Sequence, residues 1–289
     1  MRNAVILALA TSVFLSAAGY GQDAVVIRLK KDAVGDKTKQ SIVEDAVTTT
    51  TFVANGRLQT KTERMTTRYT YVEDVLAKAA GAKKPTKLSR AYELAETTTD
   101  GVKKTYAFQG KTVLIEKKGN KFEVTANGLP LAEDDAKTFA SEFGKGNGPE
   151  DEDLLPAKPV AIGGTWSPNL EKILPLMSKD LPFGLAKTGN AATGKLIKAY
   201  RNNGVPFGEF ELTFSLKPST FKSGENVIPL KPGCTLELTM KLDACIDGSA
   251  HTGTMTNTMA ANIEFDRPDK AVKIQSQVKQ VQTVTPVKQ

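Results

Sequence analysis

Apolar and polar residues change places at every step across residues 234–243. Cys234, Leu236, Leu238, Met240 and Leu242 occupy one phase, and Thr235, Glu237, Thr239, Lys241 and Asp243 the other. Successive side chains of a strand point to opposite faces, so this period predicts a half-buried β-strand. The same alternation runs through residues 209–216 and 121–126. Across residues 252–265, Met255, Met259, Ala261, Ile263 and Phe265 share one side, while Thr252, Thr254, Thr256 and Thr258 share the other. Val272, Ile274, Ser276 and Val278 repeat it near the C-terminus, and Val25, Ile27 and Leu29 begin it.

Turn pairs punctuate these segments: Asn55-Gly56, Asp100-Gly101, Gly119-Asn120, Asn127-Gly128, Asn203-Gly204 and Asp247-Gly248. Such pairs supply the positive φ values of tight hairpins, which makes neighbouring strands antiparallel and locally joined. Thr-rich stretches at 48–51 and 57–71 are polar in both phases, as expected of a large sheet with part of each face wet. Three short helices are predicted. One opens at Ala132 and places Ala132, Ala136, Phe139, Ala140 and Phe143 on one face, ending at Gly144. A second is expected over residues 73–80, stopped by Gly81. The third begins after Asn169, a good N-cap, and buries Leu170, Ile173, Leu174 and Met177 despite Pro175, which must shorten or kink it. Residues 145–153, rich in Gly, Pro and acid, predict an exposed linker between two groups of strands. The fold class is mainly β (α+β): a large curved antiparallel sheet or half-barrel with two or three short helices on its concave side.

At the N-terminus the pattern changes. Arg2 precedes an apolar run over residues 4–18, and small residues lead to Gly21. A charged start, a short apolar core and a small-residue exit make a secretory signal peptide over residues 1–21, since the run falls short of the roughly 20 residues that span a bilayer. No cysteine follows it for lipid attachment, so the expectation is a released periplasmic or extracellular protein without a transmembrane segment. The mature chain, 22–289, reads as a single β-rich domain, with two subdomains divided near 145–153 as the alternative.

Composition narrows the partners. The formal charge of +7 falls by one when Arg2 leaves with the signal. Basic pairs such as Lys103-Lys104 and Lys117-Lys118 sit beside turns without interleaved aromatics, which argues against nucleic acid and leaves only weak attraction to anionic envelope surfaces. The two cysteines, Cys234 and Cys245, lie at opposite ends of one predicted strand. At about 3.3 Å per residue they stand far beyond the roughly 7 Å that a disulfide tolerates, so free buried thiols are expected.

Candidate chemistry is sparse. His251 is the only histidine, so any nucleophilic triad must pass through it; beside Asp247-Gly248 it reads as an exposed hairpin residue. One histidine and two separated cysteines offer no transition-metal set. Glu150, Asp151, Glu152 and Asp153 lack the glycine-punctuated spacing of a calcium loop, and no pair of carboxylates is singled out for glycoside hydrolysis. The glycine-rich run 144–148 follows a helix and lacks the Lys-Ser/Thr ending of a phosphate loop. No catalytic, metal-ligating or cofactor-binding residue is assigned. Met240, Met255 and Met259 are the candidates for lining an adaptable apolar pocket, and Trp166 for stacking on a ligand.

Leu155-Pro156, Pro159-Val160 and Gly163 to Trp166 form a phrase that resembles an uncharacterised family of exported bacterial β-rich proteins. That resemblance implies compartment and fold but no chemistry. In architecture alone the pattern is similar to lipoprotein carriers of the LolA and LppX type, whose curved sheet holds lipid on its concave side; the lipidated cysteine of LppX is missing here. The expectation is an exported non-enzymatic protein that binds a lipid or other hydrophobic ligand in the cell envelope. The alternatives are an envelope interaction or assembly protein without a small ligand and, third, a hydrolase.

Overall fold

The long alternating segments become long strands. The computed structural model describes residues 24–54, 57–82, 84–119, 121–143, 149–223, 226–266 and 272–287. The expected signal peptide, the Asn55-Gly56 turn, Asn120 and the glycine-rich run 144–148 lie outside the described residues. The first half carries β1 (Lys37–Ala54), β2 (Arg57–Ala77), β3 (Lys87–Thr99), β4 (Val102–Thr105), β5 (Thr112–Lys118), β6 (Lys121–Ala126) and β7 (Leu129–Pro130), then α1 (Glu133–Phe143) and α2 (Asp151–Leu154). The second half carries β8 (Thr165–Trp166), α3 (Leu170–Asp180), β9 (Phe183–Leu185), β10 (Ala191–Asn202), β11 (Val205–Leu216), β12 (Pro218–Ser223) and β13 (Asn226–Pro229). It ends with β14 (Thr235–Cys245), β15 (Gly253–Glu264) and β16 (Val272–Pro286).

Thirteen strands form one antiparallel sheet in the order β7-β6-β5-β3-β2-β1-β16-β15-β14-β11-β10-β8, with β4 added to β3. The first and last long strands meet at its centre, paired from Thr38↔Pro286 to Phe52↔Val272. Strands from before and after 145–153 therefore belong to one sheet. Its ends, β7 and β8, are two residues long and do not pair with each other, so the sheet is not closed into a barrel. Such short edges leave little template for pairing with another chain. A small sheet, β13-β12-β9, stands apart.

Three hairpins turn where Asn-Gly or Asp-Gly pairs place both residues at positive φ: Asp100 (48°) with Gly101 (85°), Asn127 (49°) with Gly128 (80°), and Asn203 (51°) with Gly204 (82°). The outer face is a field of Thr, Lys and Glu, with cross-strand contacts such as Thr49–Thr62 (3.1 Å) and Lys241–Glu211 (3.1 Å). The inner face is apolar and covered in three places. Phe139 of α1 packs with Tyr92, Phe108 and Ile115. Ile173 of α3 and Phe183 of β9 pack with Leu212, Leu236 and Ile263. Ile27, on a strap bridged at Val25↔Val160 and Arg28↔Asp247, packs with Leu196 and Phe210. Each such fully buried aliphatic or aromatic side chain contributes about 1.5–3 kcal/mol.

Two expected elements differ. Residues 73–80 are not a helix, because β2 continues to Ala77. Glu73 and Asp74 followed by Val75 and Leu76 imitate a helix start. A register shift between Val75 and Ala77 breaks the period of two there, and cross-strand pairing with β3 decides the outcome. The linker expected over 145–153 contains α2 in its last residues, and Asp153 is buried, with its carboxylate 3.2 Å from Lys172 Nζ. α3 starts as expected, with the Asn169 side chain accepting from Lys172 N, but Pro175 does not cut it short: the helix runs on to Asp180, and the missing N–H forgoes only the bond to Glu171.

Candidate functional site

The covers on the inner face leave its centre open. Between α3 and the sheet lies a chamber of about 470 Å³, within the size range of small-molecule sites. Leu154, Ile173 and Met177 form its roof, and Phe214, Leu238, Met240, Met259 and Val278 much of its floor. Register builds that floor. Leu238 stands opposite both Phe214 and Met259, Met259 opposite Val278, and Met240 opposite Asn257, so one row of inward side chains crosses four strands. On the other side of β1 a more polar basin of about 490 Å³ lies under α1, with Tyr71, Arg90, Tyr92 and Phe139 among its walls. Glu44 and Gln280 line both spaces and form the sill between them.

The sill is a directed chain of polar groups between the chamber and the basin. Gln280 Nε2 donates to Glu44 Oε2 at 3.1 Å, and Asn257 Nδ2 donates to Gln280 Oε1 at 3.2 Å. Asn257 Oδ1 is buried and accepts no hydrogen bond from any described residue. A second chain serves the basin: Tyr71 and Gln282 donate to Gln40 Oε1 at 3.0 and 2.8 Å, Gln40 donates to Glu73, and Arg90 Nε donates to Glu73 at 2.7 Å. Arg90 also lies over the Tyr71 and Phe143 rings at 4.6 and 5.0 Å, which fixes it as a brace of the wall. Burial first, and then hydrogen bonding with Tyr106, push the Tyr69 hydroxyl well above its ordinary range, so it stays neutral in the basin.

Of the residues singled out from the sequence, Met240 and Met259 line the chamber. Met255 lies instead in a smaller cleft of about 230 Å³ with His251 and Leu29. Trp166 is structural: its indole N–H donates to the Leu154 carbonyl at 2.8 Å and its ring packs near Phe210. His251 is not an exposed hairpin residue. Its side chain is 17% exposed, and Nε2 lies 3.1 Å from Asp36 and 3.6 Å from Asp32. Ser249, two residues away, contacts the Cys245 thiol at 3.4 Å, and its backbone N–H donates to Asp247 Oδ1 at 2.9 Å. The thiols are free and buried: Cys245 donates to Asp247 Oδ1 at 3.0 Å, and Cys234 accepts from Glu264 N at 3.2 Å. In the acidic run Glu152 pairs with Lys31, and no cluster of metal-ligating side chains is found among the described residues.

The sill escaped sequence reading, although a signal for it exists. Asn257 falls in the same phase as Met255 and Met259, and Glu44 in that of Ile42. A polar residue in an apolar phase is the mark of an inward polar group. No helix among the described residues is long and apolar enough to cross a membrane. No protein-family model matches the chain, and no curated protein matches it.

Proposed function

We propose that the protein is an exported, non-enzymatic binding protein that carries a lipid or similar hydrophobic molecule in the chamber between α3 and the sheet. The observation that carries this reading is the chamber itself: an apolar space of about 470 Å³ under a short helix, on a face where burial is otherwise dense. Leu238, Met240 and Met259 on its floor are only partly buried, so a bound hydrophobic molecule would take their remaining apolar surface out of water. The thioethers of Met240 and Met259 suit a chain of variable shape. Export rests on the signal-like residues 1–21.

The test is a titration with Nile red, an uncharged dye that brightens in apolar sites. Saturable brightening by the protein, lost in Leu238→Trp, where an indole fills the floor while circular dichroism keeps the β signal, supports the reading. Absence of saturable binding to the native protein defeats it.

A second reading, an envelope assembly protein, is favoured by the outer half of β2. Residues 57–63 are exposed throughout and, among the described strands, pair with β1 alone, and Leu58 is 70% exposed. A self-associated form abolished by Leu58→Asp would move the account towards it.

A further inference from the structure

The chamber under α3 and the cleft that holds Met255 are two ends of one floor. Ala244, Gly253 and Val284 stand opposite one another across β14, β15 and β16, and so do Leu242, Met255 and Gln282 in the next inward row; all six line the cleft. The following two rows, Met240-Asn257-Gln280 and Leu238-Met259-Val278, line the chamber in full. Inward side chains recur at every second position, so the four rows are consecutive and no covered row separates the two spaces. From Val278 to Val284 the floor runs about 20 Å along the strands.

Its margins follow the same register. On β11, Phe210, Leu212 and Phe214 stand opposite Leu242, Met240 and Leu238. The three on β11 are at most 4% exposed, whereas their partners on β14 are all half-buried, so the dense cover of the inner face stops at β14. On the far side Gln280 and Gln282 also line the basin. What lies between is a long, narrow strip in which none of the residues of the four rows is charged. Ile173 and Met177 roof one end, and Leu29 of the strap lines the other. A compact molecule fills one end of such a strip and leaves the other wet. An extended chain covers both, and each methylene laid on the floor leaves water.

Resting on the reading of the chamber as a ligand site, we infer that the cleft continues that site, and that the occupant is a single unbranched alkyl chain of lipid length, extended along β14 and β15 from under α3 to the strap.

The experiment photolabels the full chain with two hexadecanol probes, one carrying a diazirine beside the hydroxyl and the other at the methyl end. One probe should mark cleft residues such as Leu29 or Met255, and the other chamber residues such as Ile173 or Met177. Both labels at one end, or no label while Nile red still binds saturably, overturns the inference and leaves the chamber standing. Absence of saturable Nile red binding overturns the chamber reading and this inference with it. Displacement of the dye supplies a second measurement. Met255→Trp, which fills the cleft, should raise the displacing concentration of hexadecanol about fifteenfold, the worth of two buried methylenes at about 0.8 kcal/mol each, and leave that of octanol unchanged. An equal effect on both alcohols, or none on either, contradicts the inference. The labelling of the native protein decides the matter even where the variant fails to fold.

Discussion

The ring of Trp166 lies on Gly194 so closely that a Cβ at 194 would stand 2.0 Å from the indole Cε2. The two residues are directly paired across β8 and β10, and the indole N–H reaches on to the Leu154 carbonyl. Trp166 thereby ties the sheet edge to α2, whose Leu154 roofs the chamber. Gly194→Ala should lower stability by about 1–3 kcal/mol through overpacking. Urea unfolding followed by the fluorescence of this single tryptophan measures it, and an unchanged midpoint would contradict the contact.

Asp36 anchors the strap over the inner face. Its carboxylate accepts from Lys30 Nζ at 2.6 Å and Ala33 N at 2.7 Å, and lies 3.1 Å from His251 Nε2. Asp36→Asn should cost about 1.5–3 kcal/mol, the range for hydrogen bonds to a charged group. Hydrogen exchange should quicken at Val25 and Arg28, whose amides bond Val160 and Ile246. Quickening spread evenly over the sheet would contradict the local role.

Acid should act on the turn after β14. Hydrogen bonds from Ser249 and then Cys245 hold the Asp247 carboxyl down to about 2. Burial works against ionisation of Asp36, but Lys30, the Ala33 N–H and His251 outweigh it and hold that carboxyl below its ordinary value too. A depressed carboxyl binds fewer protons folded than unfolded. Its contribution is therefore complete above the unfolded value of about 4 and is lost as pH falls through the folded value. The stability advantage of the native protein over Asp247→Asn should be constant above about pH 5 and fade between about 4 and 2. Urea midpoints across that range check it; an advantage that persists at the acid end would contradict the assignment.

Both thiols should resist modification in the folded state. Cys234 is 5% and Cys245 1% exposed, and each sulfur is hydrogen bonded. A thiol reagent should titrate neither at neutral pH without denaturant and two in its presence. Rapid reaction of either in the native protein would contradict the packing.

Much of the sheet was legible because period-two alternation is a local property: residues 209–216 and 235–245 pair in the register their phases demand. What local pattern cannot encode is which strands become neighbours. The pairing of β1 with β16 joins residues more than two hundred positions apart, and it alone places Glu44 beside Gln280. The helix expected over 73–80 failed for a related reason. Val75 is buried and Leu76 40% exposed, as a bulged strand requires, and only the partner β3 distinguishes that from a helical face. Met240 and Met259 were visible as candidates; Asn257, the polar intruder between them in phase, marked the same wall.

Whether the inner chamber holds a hydrophobic ligand is read plainly by native mass spectrometry of the protein isolated from a cell envelope. The expected result is a one-to-one adduct that organic solvent extracts and that Leu238→Trp loses. Bare protein masses, with nothing extracted and no saturable Nile red binding, would contradict it.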